Sequence, residues 1–152
     1  MMKNSRFLRI LSYMIQWTWG IPQNLLALFL LGKIKEKQIS PYHWSLVIDY
    51  DHNKEKVKFG TFTLGMFIFL SNRDEKNERN LLTHEYGHVM QSLLYGPLFL
   101  PIVGYFSYRW SKVYWKNQKE FNDKGVFYTD KFPEKQANQW GERLLHHPGI
   151  HW

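Results

Sequence analysis

Two apolar stretches, with alternating segments between them, organise this chain. The first, Phe7 to Leu31, is interrupted by polar residues and by Gly20-Ile21-Pro22, so it predicts two short helices in place of one spanning helix. Basic residues flank this stretch on both sides, as in a helical hairpin at a membrane interface. Residues 7–32 are therefore expected to face a membrane, and a pair of core helices is the alternative. The second stretch, Leu93 to Tyr108, is also broken by glycine and proline.

The segments between the two apolar stretches alternate as strands do. Trp44–Tyr50 and Val57–Thr63 flank a polar turn at residues 51–54, and together they predict a β-hairpin. Leu64–Leu70 predicts a further strand. With the helices on either side, the pattern predicts an α+β domain with a short antiparallel sheet.

A long helix is predicted after this sheet, over Arg79–Tyr95, and Gly96-Pro97 gives it a strong stop. Its apolar residues recur at helical spacing and form one stripe: Leu82, Tyr86, Val89 and Leu93. Met90 and Leu94 widen the stripe over most of the circumference, which is typical of a buried helix.

This buried helix carries the sequence His84-Glu85-Tyr86-Gly87-His88, which is H-E-x-x-H. Histidines four residues apart share one helix face, so their imidazoles can bind a single Zn²⁺. Glu85 is rotated by ~100° from His84 and can take a proton from a zinc-bound water. A short motif also arises by chance, but buried histidines and a glutamate are costly unless a metal satisfies them.

A catalytic zinc site needs a third protein ligand, for which Glu134 is a candidate. Pro133 fits the first turn of a new helix, with Thr129 or Asp130 as N-cap, and Glu134 then lies in that turn. The small residues Ala137 and Gly141 permit close approach to a neighbouring helix. An acidic residue at a helix N-terminus is also favoured by the helix dipole alone.

Asn138 lies four residues after Glu134, on the same helix face. From there its side chain can accept a hydrogen bond from the outer nitrogen of a ligand histidine. Other histidines offer a competing third ligand. His146, His147 and His151 cluster near the C-terminus, and His43 and His52 lie in the N-terminal half.

H-E-x-x-H followed by E-x-x-x-D resembles the gluzincin zinc metallopeptidases, and the minigluzincins and the membrane-bound HtpX and CAAX-endopeptidase types are nearest in pattern. The resemblance implies a zincin-like domain with His84, His88 and Glu134 as zinc ligands and Glu85 as general base. It also implies an edge strand at Leu64–Leu70 beside the active cleft. Asn138 stands where the family has a carboxylate. The stretch His84 to Gly104 is similar to small bacterial proteins of membrane character.

Length and composition bound the remaining possibilities. A chain of 152 residues is long enough for one core, so residues 1–152 are expected to form a single domain. The absence of cysteine excludes disulfides, thiolate metal ligands and cysteine nucleophiles. A net charge of +7 and 18% aromatic residues indicate an anionic partner surface. A membrane fits better than nucleic acid, because the basic residues are scattered. We expect a location at the cytoplasmic side of a membrane or in the cytoplasm.

The sequence therefore predicts a zinc metallopeptidase that holds one Zn²⁺ and acts on a peptide or protein substrate. Glu85 would deprotonate the attacking water and later protonate the leaving amine. The oxyanion also needs a hydrogen-bond donor, and the residues alone leave four candidates open: Tyr105, Arg109, Tyr128 and His146. The alternative is a non-catalytic membrane-associated or interaction protein in which zinc only joins two helices.

Overall fold

The structure is a computed structural model that describes residues 4–51, 53–55, 60–71 and 77–151. Within these residues the chain has an α+β fold, as predicted. Its α-helices are α1 (Asn4–Thr18), α2 (Ile21–Leu31), α3 (Glu78–Tyr95), α4 (Tyr105–Lys116), α5 (Gln118–Asp123) and α6 (Glu134–Leu145). Its strands are β1 (Lys37–Tyr42), β2 (Ser45–Tyr50), β3 (Phe62–Leu64) and β4 (Phe67–Ser71). Shorter helical turns cover Gly96–Leu98, Leu100–Gly104 and Tyr128–Asp130.

The four strands form one mixed sheet in the order β1-β2-β4-β3. β1 and β2 are antiparallel, β2 and β4 are parallel, and β3 and β4 are antiparallel. The sheet is therefore mixed, whereas the sequence predicted a purely antiparallel sheet. The predicted hairpin between Trp44–Tyr50 and Val57–Thr63 is wrong for the described residues, because β1 and β4 occupy both sides of β2. Residues 57–59 lie outside the described part of the chain.

The strand beside the metal-motif helix is β3, which differs from the expectation for Leu64–Leu70. β4 lies inside the sheet and all of its residues are buried. β3 folds back on β4 through a turn at Gly65, whose φ of 62° suits glycine, and so becomes the edge. β1 was not predicted. It is largely exposed, and it contains Pro41, which an edge strand tolerates.

The sheet is covered on both faces. Ile48, Phe67 and Phe69 point to one face, where they pack with Ala27 of α2 and Ile34. The intervening residues point to the other face and pack against the α3 stripe: Val47, Ile68 and Leu70 with Leu82, Tyr86 and Val89. Alternation along the strands therefore places one apolar layer under α2 and one under α3.

Helices α3 and α6 pack at very close range. A Cβ atom on Gly87 would lie 1.8 Å from the carbonyl oxygen of Ala137, and one on Gly141 would lie 1.9 Å from that of Thr83. The prediction that small residues permit this approach is confirmed. α3 also ends as predicted, since Tyr95 is its last residue and Gly96 has a φ of 52°.

The N-terminal apolar stretch forms two helices separated at Trp19-Gly20, as the pattern predicts. Among the described residues no single helix is long and apolar enough to cross a bilayer. The pair Glu78–Leu98 and Leu100–Lys116 reaches the required length and composition only jointly, across a bend of 113°.

Candidate metal centre

His84 and His88 of α3 and Glu134 of α6 converge on one point. The Nε2 atoms of both histidines lie 3.1 Å from Oε2 of Glu134, and the three donor atoms are all within 4.8 Å of one another. All three residues are buried. The residues that the sequence singled out from separate segments are therefore brought together.

Glu134 reaches this point because it is the first residue of α6. Pro133 is the N-cap residue, whereas Thr129 and Asp130, the predicted N-caps, lie in the preceding turn Tyr128–Asp130. The start of α6 faces the middle of α3 because Gly87 lets the helices touch. The acidic side chain is thus favoured by the helix dipole and by its contacts with both histidines.

The tautomer of His84 is set by Asn138. The Oδ1 atom of Asn138 lies 2.9 Å from Nδ1 of His84 and accepts the backbone N–H of Ile150 at 3.2 Å. Its Nδ2 donates to the carbonyl oxygen of Ile150 at 2.6 Å. A carbonyl oxygen only accepts, so the amide orientation follows, and Nδ1 of His84 must carry the proton. Nε2 of His84 is then unprotonated when the ring is neutral.

Gln91 sets the tautomer of His88 in the same way. Its Nε2 donates to the carbonyl oxygen of Pro133 at 2.9 Å and to Oε1 of Gln136 at 2.9 Å. Its Oε1 lies 2.7 Å from Nδ1 of His88, which is therefore the protonated nitrogen. The sequence analysis did not identify Gln91, although its position three residues after His88 on the same face is a signal.

Two imidazole lone pairs and a carboxylate oxygen cannot converge without a proton or a cation between them. Burial lowers the pKa of His88, but the charge and hydrogen bond of Glu134 outweigh burial and raise the pKa to about 9. Burial raises the pKa of Glu134, but both histidines hold it well below its usual range. The metal-free cluster therefore binds a proton at neutral pH.

A metal ion fits the same arrangement. Donor atoms bound to a tetrahedral ion at about 2.0–2.1 Å stand about 3.4 Å apart. The two separations of 3.1 Å are close to that value. Oε1 of Glu134 is buried and has no hydrogen-bond partner among the described residues, so it too is available to a cation. The buried His-His-Glu group could hold a metal ion.

Glu85 lies beside this group on the wall of a cleft of about 820 Å³. The hydroxyl of Thr63 lies 2.7 Å from Oε2 of Glu85 and 3.2 Å from its backbone carbonyl oxygen. Thr63 belongs to the edge strand β3, and no sequence signal pointed to it. The strand thereby holds the glutamate carboxylate next to the candidate metal ligands.

The four candidate oxyanion donors differ in their position relative to the cleft. Tyr128 lines it together with Glu85, His88 and Glu134. Burial raises the pKa of Tyr128, and the Glu134 carboxylate raises it further, so its hydroxyl remains a proton donor at neutral pH. Tyr105 is exposed and bonded to Arg109, and His146 caps the far end of α6.

The remaining histidines of the described chain lie outside the cluster. Nδ1 of His147 lies 3.3 Å from the Thr83 hydroxyl, and His151 lies 3.6 Å from Glu142. His43 packs against Tyr42 and Tyr86. Of the alternative third ligands, only His52 lies outside the described residues.

The chain matches no protein-family model, no curated protein and no solved structure. Membership of the gluzincins therefore stays a prediction that rests on the motif and on the geometry of three side chains.

Proposed function

We propose that the protein is a zinc-dependent peptidase in which His84, His88 and Glu134 hold one Zn²⁺. The observation that carries the proposal is the paired support of the histidines by Asn138 and Gln91. Each amide oxygen accepts a hydrogen bond from the Nδ1–H group of its histidine. The Nε2 lone pairs of both histidines therefore point at Oε2 of Glu134. Such support of the outer nitrogen is typical of metal-binding histidines.

The donor set favours zinc among biological metals. Two imidazoles and one carboxylate suit Zn²⁺, and three protein ligands leave a position for water, as in catalytic zinc sites. Mg²⁺ and Ca²⁺ prefer oxygen donors, of which this cluster supplies only the Glu134 carboxylate.

The proposed chemistry divides between the ion and the chain. Bound zinc would supply an acidified water with a pKa of about 7 and polarise the scissile carbonyl. Glu85 accepts the proton of the attacking water and later gives it to the leaving amine. The Thr63 hydroxyl holds Oε2 of Glu85, and Oε1 of Glu85 is the proposed proton acceptor. The Tyr128 hydroxyl donates to the developing oxyanion.

A peptide substrate is supported by the shape of the cleft wall. Phe62, Thr63 and Leu64 line the cleft, and they form the strand at the edge of the sheet. β3 is the last strand of the described sheet, and we propose that an extended peptide binds along it in the cleft. Such a peptide would pass directly beside Glu85, because Thr63 contacts that residue.

The test combines metal analysis with an unbiased peptide mixture. Protein reconstituted with Zn²⁺ is expected to bind about one equivalent and to cleave members of the mixture, as detected by mass spectrometry. Glu85→Gln should retain zinc and lose cleavage, whereas His84→Ala should lose both. Glu142→Gln, a carboxylate outside the cleft, is the matched control. Cleavage that persists in Glu85→Gln would refute the assigned role.

The second candidate function is a structural zinc that joins two helices. The position of the site favours this function, because the site bridges α3 and α6 and all three candidate ligands are buried. This alternative predicts that Glu85→Gln changes nothing, while removing zinc lowers the free energy of unfolding. The Glu85→Gln experiment therefore separates the two functions.

A further inference from the structure

Helices α1 and α2 bury polar side chains and expose apolar ones. Their polar residues Ser12, Gln16, Gln23 and Asn24 are buried. Large apolar side chains are exposed instead, among them Phe7, Ile10, Met14, Leu25, Leu28 and Phe29. A water-soluble domain normally shows the opposite distribution. Polar groups directed inward and apolar groups directed outward are typical of a helix in contact with lipid.

Hydrogen bonds hold the two helices in this orientation. Nε2 of Gln23 donates to the Ser92 hydroxyl and to the carbonyl oxygen of Gly96, both at 3.0 Å. Asn24 donates to the backbone carbonyl of Gln16 at 2.7 Å and accepts from the backbone N–H of Met66 at 3.1 Å. Rolling α2 to bury its apolar side would leave the Gly96 carbonyl and the Met66 N–H without these partners inside the protein, which is costly.

A second segment extends the exposed apolar surface. Residues 94–115 comprise the end of α3 and the helical segments after it, and they present several exposed apolar or aromatic side chains: Leu94, Leu98, Tyr105, Phe106, Tyr108, Val113 and Trp115. This segment adjoins the N-terminal helices, since a Cβ atom on Gly96 would lie 2.0 Å from Nε1 of Trp19. The exposed apolar residues of α1, α2 and 94–115 are called the apolar face below.

The charge around the apolar face has a single sign. Residues 4–35 and 94–116 contain no acidic residue. Their basic residues are Arg6, Arg9, Lys33, Lys35, Arg109, Lys112 and Lys116. Two lysines lie over exposed rings, Lys33 at 4.9 Å from Phe29 and Lys112 at 4.6 Å from Tyr108. A ring at the acyl boundary with a cation beside it matches the headgroup level of a bilayer.

We infer that the apolar face is embedded in one leaflet of an anionic lipid bilayer. α2 has 11 residues and is about 17 Å long, which is close to half of the ~30 Å hydrocarbon core. The helices thus reach into one leaflet while the basic residues meet anionic headgroups. This inference is independent of the proposed peptidase activity.

Embedding the apolar face in a leaflet also determines where the mouth of the cleft lies. Leu26, Tyr108 and Trp115 line the cleft and are exposed members of the apolar face. When the face is in a leaflet, the mouth opens at the lipid–water boundary.

Vesicle flotation tests the inference directly. The full chain is expected to float with phosphatidylcholine vesicles that contain phosphatidylglycerol, and to float less with pure phosphatidylcholine or at high salt. Leu25→Glu with Phe29→Glu, at positions that are 56% and 61% exposed, should lower partitioning roughly tenfold or more. The matched control is Ile39→Glu with Leu144→Glu, both 51% exposed and outside the apolar face.

Two results would overturn the inference. One is a wild-type chain that stays in the aqueous phase with both vesicle types. The other is a double variant at Leu25 and Phe29 that floats as well as the wild type and keeps its circular dichroism. A detergent-free dimer that this variant dissociates, without vesicle binding by the wild type, would assign the face to a second copy.

Tryptophan quenching tests where the mouth of the cleft lies. Phospholipids brominated on their acyl chains are expected to quench the fluorescence of the bound protein. Trp115→Phe should reduce the quenched fraction, whereas Trp44→Phe, at the turn between β1 and β2, should not. A quenched fraction that Trp115→Phe leaves unchanged would put the mouth of the cleft in water.

Discussion

Asn138 joins the candidate metal centre to the C-terminal residues of the described chain. Its Oδ1 lies 2.9 Å from Nδ1 of His84, and its Nδ2 donates to the carbonyl oxygen of Ile150 at 2.6 Å. One amide thus orients the His84 ring and anchors Ile150. An aspartate, which the gluzincin pattern has at this position, would support the histidine but could not donate to Ile150.

We therefore expect Asn138→Asp to lower the stability of the metal-free protein. Its carboxylate would place an acceptor against the carbonyl oxygen of Ile150, which costs about 1–3 kcal/mol for a buried unpaired group. Chemical denaturation measures the free energy of unfolding, and the control is Asn122→Asp, at an exposed position whose Oδ1 accepts a hydrogen bond from the Tyr114 hydroxyl. Equal stability of Asn138→Asp and the wild type would show that the anchoring bond contributes nothing.

Gln91→Leu is expected to weaken zinc binding about 10- to 100-fold while leaving the ligands in place. Leucine is similar in size but cannot accept the Nδ1 proton of His88, so the imidazole loses its fixed tautomer and orientation. A competitive chelator titration measures the affinity. Gln139→Leu, on the exposed side of α6, is the control, and an equal loss in both variants would contradict the specific role of Gln91.

Glu134→Ala is expected to abolish zinc retention during dialysis, because it removes the only anionic donor of the cluster. His151→Ala should leave zinc bound, since His151 contacts Glu142 outside the cluster. Metal analysis after dialysis gives both results. If His151→Ala lost zinc and Glu134→Ala retained it, a site with a histidine as the third ligand would be favoured.

Zinc binding is expected to release protons at neutral pH. The pKa of His88 in the metal-free protein is raised to about 9, so the ring is protonated at pH 7 and must lose that proton to bind. The apparent affinity should therefore rise by up to about tenfold per pH unit and level off near pH 9. Calorimetry in buffers of different ionisation enthalpy counts the protons, and a heat independent of the buffer would mean that His88 is already neutral.

Thr63→Val is expected to reduce peptide cleavage about tenfold or more with zinc still bound, because Glu85 loses the hydrogen bond that positions its carboxylate. Thr63→Ser keeps the hydroxyl and should restore most of the rate. Steady-state kinetics on a peptide identified in the cleavage experiment distinguishes the variants. If Thr63→Ser is as slow as Thr63→Val, the hydroxyl by itself does not sustain the rate, and the positioning role assigned to this hydrogen bond is contradicted.

Elements whose signals are local can be predicted from the amino-acid sequence alone. The stripe of α3, its end at Gly96, and the break between α1 and α2 follow from helical periodicity and from glycine and proline. The H-E-x-x-H spacing places His84 and His88 on one face of a helix whatever that helix packs against. The small residues Ala137 and Gly141 likewise indicate close approach to a neighbouring helix, whereas the role of Gly87 on the facing helix is seen only in the structure.

Relationships between distant segments become visible only in the folded chain. The parallel pairing of β2 with β4 and the edge position of β3 depend on contacts between strands that are distant in the sequence, which no local pattern records. The contacts of Thr63 with Glu85 and of Asn138 with Ile150 join residues from different elements. The inverted burial of α1 and α2 also appears only after folding. Both sides of these helices are compatible with their composition, and distant hydrogen bonds select the one that faces inward.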